Sequence, residues 1–195
     1  MFKGLQAPRN YGLTMNRHSI LSQPASPLPR DEPERNLVVA RPQREQGLTH
    51  IALAGGIYTI LLSGDDTDGR YCLISMVIPP GGGPPPHRHD FEESFTLLEG
   101  EIEATFRGEK TVIKAGETVN IPANAPHAFV NSSGKTVKLL CICAPAGQDE
   151  YFRLVGTPLD SATAVPPKPD PAAVAASKAR AAELAPKYRT EFVKS

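Results

Sequence analysis

GGGPPPHRHDFEESFTLLEG, residues 81–100, decides how the rest of the chain is read. It sets His87, His89 and Glu93 at odd-numbered positions of a strand-like run. Side chains on a strand alternate between faces, so residues two or four apart project from the same side. Imidazole and carboxylate groups are metal ligands, and here three of them point one way. The same parity selects Glu93 over its neighbour Glu92, which points outward unless a bulge intervenes. A fourth candidate, His127, lies in a second apolar run that a hairpin-rich β fold would bring opposite the first. Taken one at a time, each of these residues has a plain structural explanation. Four donors at same-face spacing point to a metal site in a β-barrel.

Working outward, the chain from Gly55 breaks into short β-branched and apolar runs: IYTILLS, RYCLISMVI, SFTLLEG, EIEATFRG, KTVIKAG, TVNIPA, HAFVNSSG and TVKLLCICA. Gly, Pro, Asn and Asp separate them at short intervals, the pattern of an antiparallel sandwich or barrel. QDEYFRLVG suits a short helix ending at Gly156, and the Pro-rich TAVPPKPDP reads as a semi-rigid linker. Asp170 then serves as N-cap, with Pro171 in the first turn, for the Ala-rich helix AAVAASKARAAELA, which Pro186 stops. That helix is a packing or oligomer element. Residues 1–46 carry scattered Pro, Arg, Ser and Asn without a sustained period and read as an extended or partly disordered arm. The expected organisation is therefore an arm at 1–46, a barrel at 47–157, and a linker with C-terminal helix at 158–195.

Composition bounds the function. With 195 residues, 40% of them hydrophobic, the chain suits one domain with extensions and one sizeable core. Its 21 basic and 21 acidic residues balance, so electrostatics gives no case for nucleic acid or an anionic membrane as partner. No apolar run approaches the roughly 18 residues that span a bilayer, and no secretory leader pattern opens the chain. The expectation is a cytoplasmic protein with a small-molecule ligand. Cys72, Cys141 and Cys143 are odd in number and lie inside apolar runs, which favours reduced core thiols over disulfides. Cys141 and Cys143 share a strand face, so a thiolate pair stands as the alternative to small core packing.

These residues carry a family resemblance. Gly81, His87, His89, Glu93 and Gly100 fit the first motif of the cupin family, G-x5-H-x-H-x3-E-x6-G, with every spacing kept. Gly116, Pro122, His127 and Asn131 fit the second, G-x5-P-x-G-x2-H-x3-N, except that Asn124 replaces its glycine. Asn tolerates positive φ better than most residues, so the turn is expected to survive. The resemblance implies an all-β double-stranded β-helix, the jelly-roll cupin barrel, here with an extended N-terminal arm and a C-terminal helical extension. It also implies a metal held by His87, His89, Glu93 and His127.

Within that family the chain is similar to small single-barrel bacterial cupins related to quercetin 2,3-dioxygenase, in which an acidic-aromatic helix follows the last strand, as Asp149, Glu150, Tyr151 and Phe152 do here. The resemblance implies metal-dependent dioxygenation of a flavonol or another enolic aromatic, with Glu93 able to loosen and accept a proton. On ligand type Fe, Mn, Ni, Co and Cu suit the site equally, and Zn is possible in purified protein. Two other functions stay open. One is an isomerase or decarboxylase of a small keto acid or sugar, which would want basic side chains such as Arg70, Arg88 or Lys114 beside the metal. The other is a non-catalytic small-molecule-binding barrel. The arm and the Ala-rich helix would cover sheet edges or faces, and a homodimer is expected.

Overall fold

A computed structural model of the chain describes residues 27–42, 47–165 and 171–193. Residues 1–26 and 43–46 of the expected arm lie outside the described residues, as do the cap at Asp170 and the second half of the Pro-rich linker. The segment up to Leu37 forms a unit of its own. Its described part holds a turn closed by Arg35 N–H donating to Glu32 O at 3.0 Å.

The second unit, Val38–Ser195, holds the β architecture. Its strands in chain order are β1 (Thr49–Leu53), β2 (Gly56–Leu62), β3 (Cys72–Ile78), β4 (His87–His89), β5 (Glu92–Glu99), β6 (Glu101–Phe106), β7 (Glu109–Lys114), β8 (Thr118–Ile121), β9 (His127–Val130) and β10 (Val137–Ala144). Helix α1 (Gln148–Val155) and β11 (Thr157–Leu159) follow, then α2 (Pro171–Leu184), a 3-10 turn at Ala185–Tyr188 and β12 (Thr190–Phe192). The described strands form two antiparallel sheets. The larger runs β11-β1-β2-β3-β10-β5-β8 and the smaller β12-β4-β9-β6-β7. Strand β10 inserts between β3 and β5, distant in sequence from both, which is the crossover of a jelly roll.

Alternation writes the inner surface. On β3, Cys72, Ile74, Met76 and Ile78 are buried, while Leu73, Ser75 and Val77 are half-buried. On β10, Val137, Leu139, Cys141 and Cys143 are buried in the same way. Ile102, Ile113, Phe95, Leu97, Ile121 and Phe129 join them from the facing strands. Each large apolar side chain taken fully from water contributes about 1.5–3 kcal/mol, so this shared interior holds the sheets together.

The structure departs from the sequence reading at two places. The run from His87 to Glu99 is not one strand. The chain bends at Asp90–Phe91, so β4 belongs to the smaller sheet and β5 to the larger. The Ala-rich α-helix ends at Leu184, two residues before Pro186 as expected, and Pro186 sits inside the 3-10 turn that follows. Beyond that turn, β12 adds to the edge of β4, pairing Thr190 with His89 and Phe192 with His87.

The amphipathic helix α1 buries Gln148, Asp149, Tyr151, Phe152 and Val155, the spacing of one helical face. Gly156 follows because nothing larger fits: a Cβ there would lie 2.0 Å from Ile51 Cγ2. Helix α2, with no fully buried residue, packs through partly buried Ala181 and Leu184 and through polar bonds to α1, including Tyr151 Oη donating to Ala181 O at 2.9 Å.

Candidate metal centre

His87 and His89 come from β4, His127 from β9 and Glu93 from β5. The first three stand on the smaller sheet, where His87 pairs directly with His127, and Glu93 faces them from the larger. All four are buried, between 2% and 7% exposed. One ligand atom from each lies within 4.8 Å of all the others. That spread is comparable with the roughly 4.2 Å between opposite ligands of an ion bound at about 2.1 Å.

The hydrogen bonds fix which nitrogen faces the centre. His87 Nδ1 meets Pro85 O, His89 Nδ1 meets Phe91 O and His127 Nδ1 meets Ala125 O, each at 2.9 Å. A carbonyl only accepts, so each Nδ1 carries a proton, and in the neutral form each ring turns its lone pair inward at Nε2. His89 Nε2 and His127 Nε2 both lie 3.1 Å from Glu93 Oε2. A lone pair set against a carboxylate oxygen at that distance is repulsive, so each such pair is joined either by a proton on Nε2 or by a metal ion between them. This convergence of acceptors fits a metal ion.

Electrostatics agrees with that donor set. Burial pushes the His87 pKa down to about 4, and the neighbouring His127 works in the same direction, so the ring is neutral at ordinary pH. For Glu93, burial opposes ionisation, but in metal-free protein hydrogen bonds from His127 and His89 Nε2 outweigh it and hold the carboxyl well below the usual carboxylate range, a hold that a bound cation would replace. Three neutral imidazoles and one carboxylate would leave coordination positions open, as catalytic metal sites require.

The second oxygen of Glu93 points elsewhere. Cys141 Sγ lies 3.3 Å and Cys143 Sγ 3.7 Å from Oε1, and the two sulfurs are 3.6 Å apart. Cys143 sits directly across the ladder from Glu93 and Cys141 across from Phe95. Burial pushes the Cys141 thiol up to about 12, so it holds its proton. The same-face spacing of the two cysteines was legible in sequence. Their position against Glu93 was not, because it depends on β10 pairing with β5.

Rings line the remaining surroundings. Phe91 stacks on His89 with centroids 3.8 Å apart and planes within 4°, and Phe95 meets Phe129 edge-on at 5.3 Å. Glu92 points outward as parity requires, accepting from Asn120 Nδ2 at 2.8 Å. The candidate basic residues do not reach the centre. Arg88 pairs with Glu191 on the outer surface, Arg70 pairs with Asp68, and Lys114 is exposed. Asn124 takes φ 67°, so it does the work of the glycine it replaces. Asn131, fully buried, donates to Ile78 O and Lys135 O and so ties a loop together, away from the four ligands.

The acidic-aromatic helix also proves to be structural. Asp149 accepts from Gly64 N–H at 3.1 Å, Glu150 accepts from Tyr188 Oη at 2.6 Å, and Phe152 packs edge-on against Tyr58 at 5.1 Å.

Known proteins place this arrangement. Quercetin 2,3-dioxygenase of Bacillus subtilis is 28% identical to the chain over 105 residues, covering 53% of this chain and 31% of that protein. An uncharacterized protein of Methanocaldococcus jannaschii is 32% identical over 77 residues, covering 39% of this chain and 62% of the other. The matches thus span less than two thirds of either relative. Among solved structures, KdgF from Halomonas sp. superposes with a TM-score of 0.52 at 15% identity, covering 59% of this chain and 99% of that one, a likeness of fold. Residues 74–143 match the cupin domain family and contain all four converging donors.

Proposed function

We propose that the protein is a metal-dependent dioxygenase acting on a flavonol-like or other enolic aromatic substrate. The observation that carries this reading is the convergence of three imidazole lone pairs and the Glu93 carboxylate inside the barrel. The partial match to a quercetin 2,3-dioxygenase supports the choice of chemistry. His87, His89, His127 and Glu93 would hold one divalent transition ion, which would supply a Lewis-acid centre and access to dioxygen chemistry.

The chain's own residues do the rest. The Nδ1–carbonyl bonds keep the three rings aimed. Phe91 stacks on His89, and Phe95 and Phe129 lie buried two residues along their strands from Glu93 and His127, apolar surface that suits an aromatic ligand. Glu93, with one oxygen toward the imidazoles, is placed to take the proton of an enolic hydroxyl as general base. The alternative of an isomerase or decarboxylase of a small keto acid or sugar is less well supported, since Arg70, Arg88 and Lys114, the basic side chains an anionic substrate would want, lie on the surface.

Oxygen consumption tests the proposal, with protein reconstituted in turn with Fe, Mn, Ni and Co and offered flavonols and enolic aromatics, and with His89→Ala as control. Metal-dependent uptake that the variant lacks is the expected result. Stoichiometric metal retention with no uptake for any pair would overturn the dioxygenase reading.

We further propose that the enzyme works as a homodimer in the cytoplasm. Supporting this, Leu98 and Ile142 stand about half exposed on the outer face of the larger sheet, and among the described residues no helix is long and apolar enough to cross a membrane. Light scattering that returns a monomer mass would exclude the dimer.

A further inference from the structure

The two oxygens of Glu93 have different neighbours. Oε2 faces His89 and His127, each at 3.1 Å, while Oε1 turns away into the wall of the larger sheet. Among the described residues, the hydrogen-bond partners of Oε1 are sulfurs: Cys141 Sγ at 3.3 Å and Cys143 Sγ at 3.7 Å. Both cysteines are wholly buried, as is Cys72, which faces Cys143 across the β3–β10 ladder. The sulfurs form no disulfide. A thiol beside a carboxylate can only donate, because the carboxylate oxygens only accept.

We propose that Cys141 is a positioning residue that donates its S–H to Glu93 Oε1 and so commits Glu93 to the metal through Oε2 alone, with the Cys143 sulfur lying more distantly beside both the Cys141 sulfur and that oxygen.

This rests on the metal-centre reading above and deepens it. A carboxylate with both oxygens free can chelate an ion and occupy two coordination positions. One whose Oε1 is engaged occupies a single position and leaves the other to substrate. The donor is also a weak one, since sulfur holds hydrogen bonds more loosely than oxygen or nitrogen. Glu93 is thus oriented without being locked, which suits a ligand that must loosen to accept a proton. Small apolar packing would explain a buried alanine or valine at 141 equally well, but it does not explain why the polar edge of both cysteines meets the one inward carboxylate.

The test uses the full chain loaded with Co(II), whose visible ligand-field bands report coordination number and carboxylate mode, with Co(II) affinity measured by chelator competition. Cys141→Ala is expected to shift the bands and to weaken Co(II) binding about tenfold, the lower end of what loss of a partner to a metal ligand costs. Cys141→Ser, which restores a donor at the same place, is expected to recover the wild-type bands even where its thermal stability falls below that of the alanine variant. A purely packing role gives the reverse: stability changes with cavity size and polarity while the bands stay fixed.

Wild-type uptake of Co(II) with superimposable spectra for wild type and Cys141→Ala overturns the positioning role alone. Failure of serine to recover shifted bands overturns it too, because the hydrogen bond would then not be their cause. Wild-type protein that takes up no Co(II) overturns the metal-centre reading, and this proposal with it.

Discussion

The two sheets contribute unlike halves to one site. The smaller supplies three imidazoles, each held at 2.9 Å by a carbonyl two residues away in its own segment. The larger supplies one carboxylate, held on its far side by thiols from a different strand. Backbone bonds within one segment persist as long as the local chain keeps its path, whereas the hold on Glu93 depends on a ladder between strands far apart in sequence. The smaller sheet thus presents a preset ring of lone pairs and the larger a ligand able to give way. On the proposed dioxygenase reading, such a division would place retention of the metal in one half and proton transfer in the other.

Removing one member from each half gives the sharpest challenge. His89→Ala should weaken divalent metal binding on the order of a thousandfold, beyond the roughly 10–100-fold that an outer partner costs. Glu93→Gln, which keeps the shape and removes the charge, should weaken it less while abolishing turnover. Calorimetric titration with Co(II) or Mn(II) beside an activity assay reads both. Equal losses of affinity from the two variants would dissolve the distinction between a holding half and a reacting half.

Acid should act next. The His87 pKa falls from 6.5 in the unfolded chain to about 4 in the folded one because the ring is buried. Between those values the unfolded state binds the extra proton, so stability rises with pH across the window and is lost as pH falls through it. The loss amounts to about 3 kcal/mol for metal-free protein taken from pH 6.5 to pH 4. Glu93, also held below its ordinary range, loses its own stabilising charge in the same direction at still lower pH. Urea unfolding in chelator across this range measures the slope, and His87→Gln should flatten it. A slope that survives the substitution would place the acid-sensitive group elsewhere.

Sequence made the donors legible because they are local. Spacing alone selects His87 and His89, and the motif glycine replaced by Asn124 still turns at φ 67°. Glu93 was reached by a parity argument that assumed one continuous strand. The structure breaks that strand at Asp90–Phe91 and sends its halves into different sheets, so the right residue stands on the opposite wall. A barrel that closes around its interior keeps inward residues convergent even when the sheet changes, which is why the parity survived the bend. What could not be read was register. The thiols meet Glu93 only through the β5–β10 pairing. The three residues of β12 become a strand only because β4 offers a free edge, a fact held by residues about a hundred positions away. Neither Thr190 nor Phe192 carries a local signal of that partner.

That edge addition supports the smallest prediction and the most direct check on the preset half. Strand β4 is three residues long and pairs with β9 only at His87–His127, so its other support is β12. The C-terminal segment is anchored in turn by Tyr188 Oη donating to Glu150 Oε1 at 2.6 Å, a bond that raises the tyrosine pKa to about 12. Tyr188→Phe removes the hydroxyl and leaves the ladder to β4 intact. The expected cost is about 1 kcal/mol, a fall of roughly 2–4 °C in Tm for a chain of this size. Metal affinity should stay within about twofold of wild type, because the carbonyls of Pro85, Phe91 and Ala125 that aim the rings would be untouched, and a change that small is under about 0.5 kcal/mol. A variant that kept its Tm but lost metal tenfold would show that the imidazoles are held by the C-terminal strand and not by their own segments, and the contrast between the two sheets would have to be redrawn around β12.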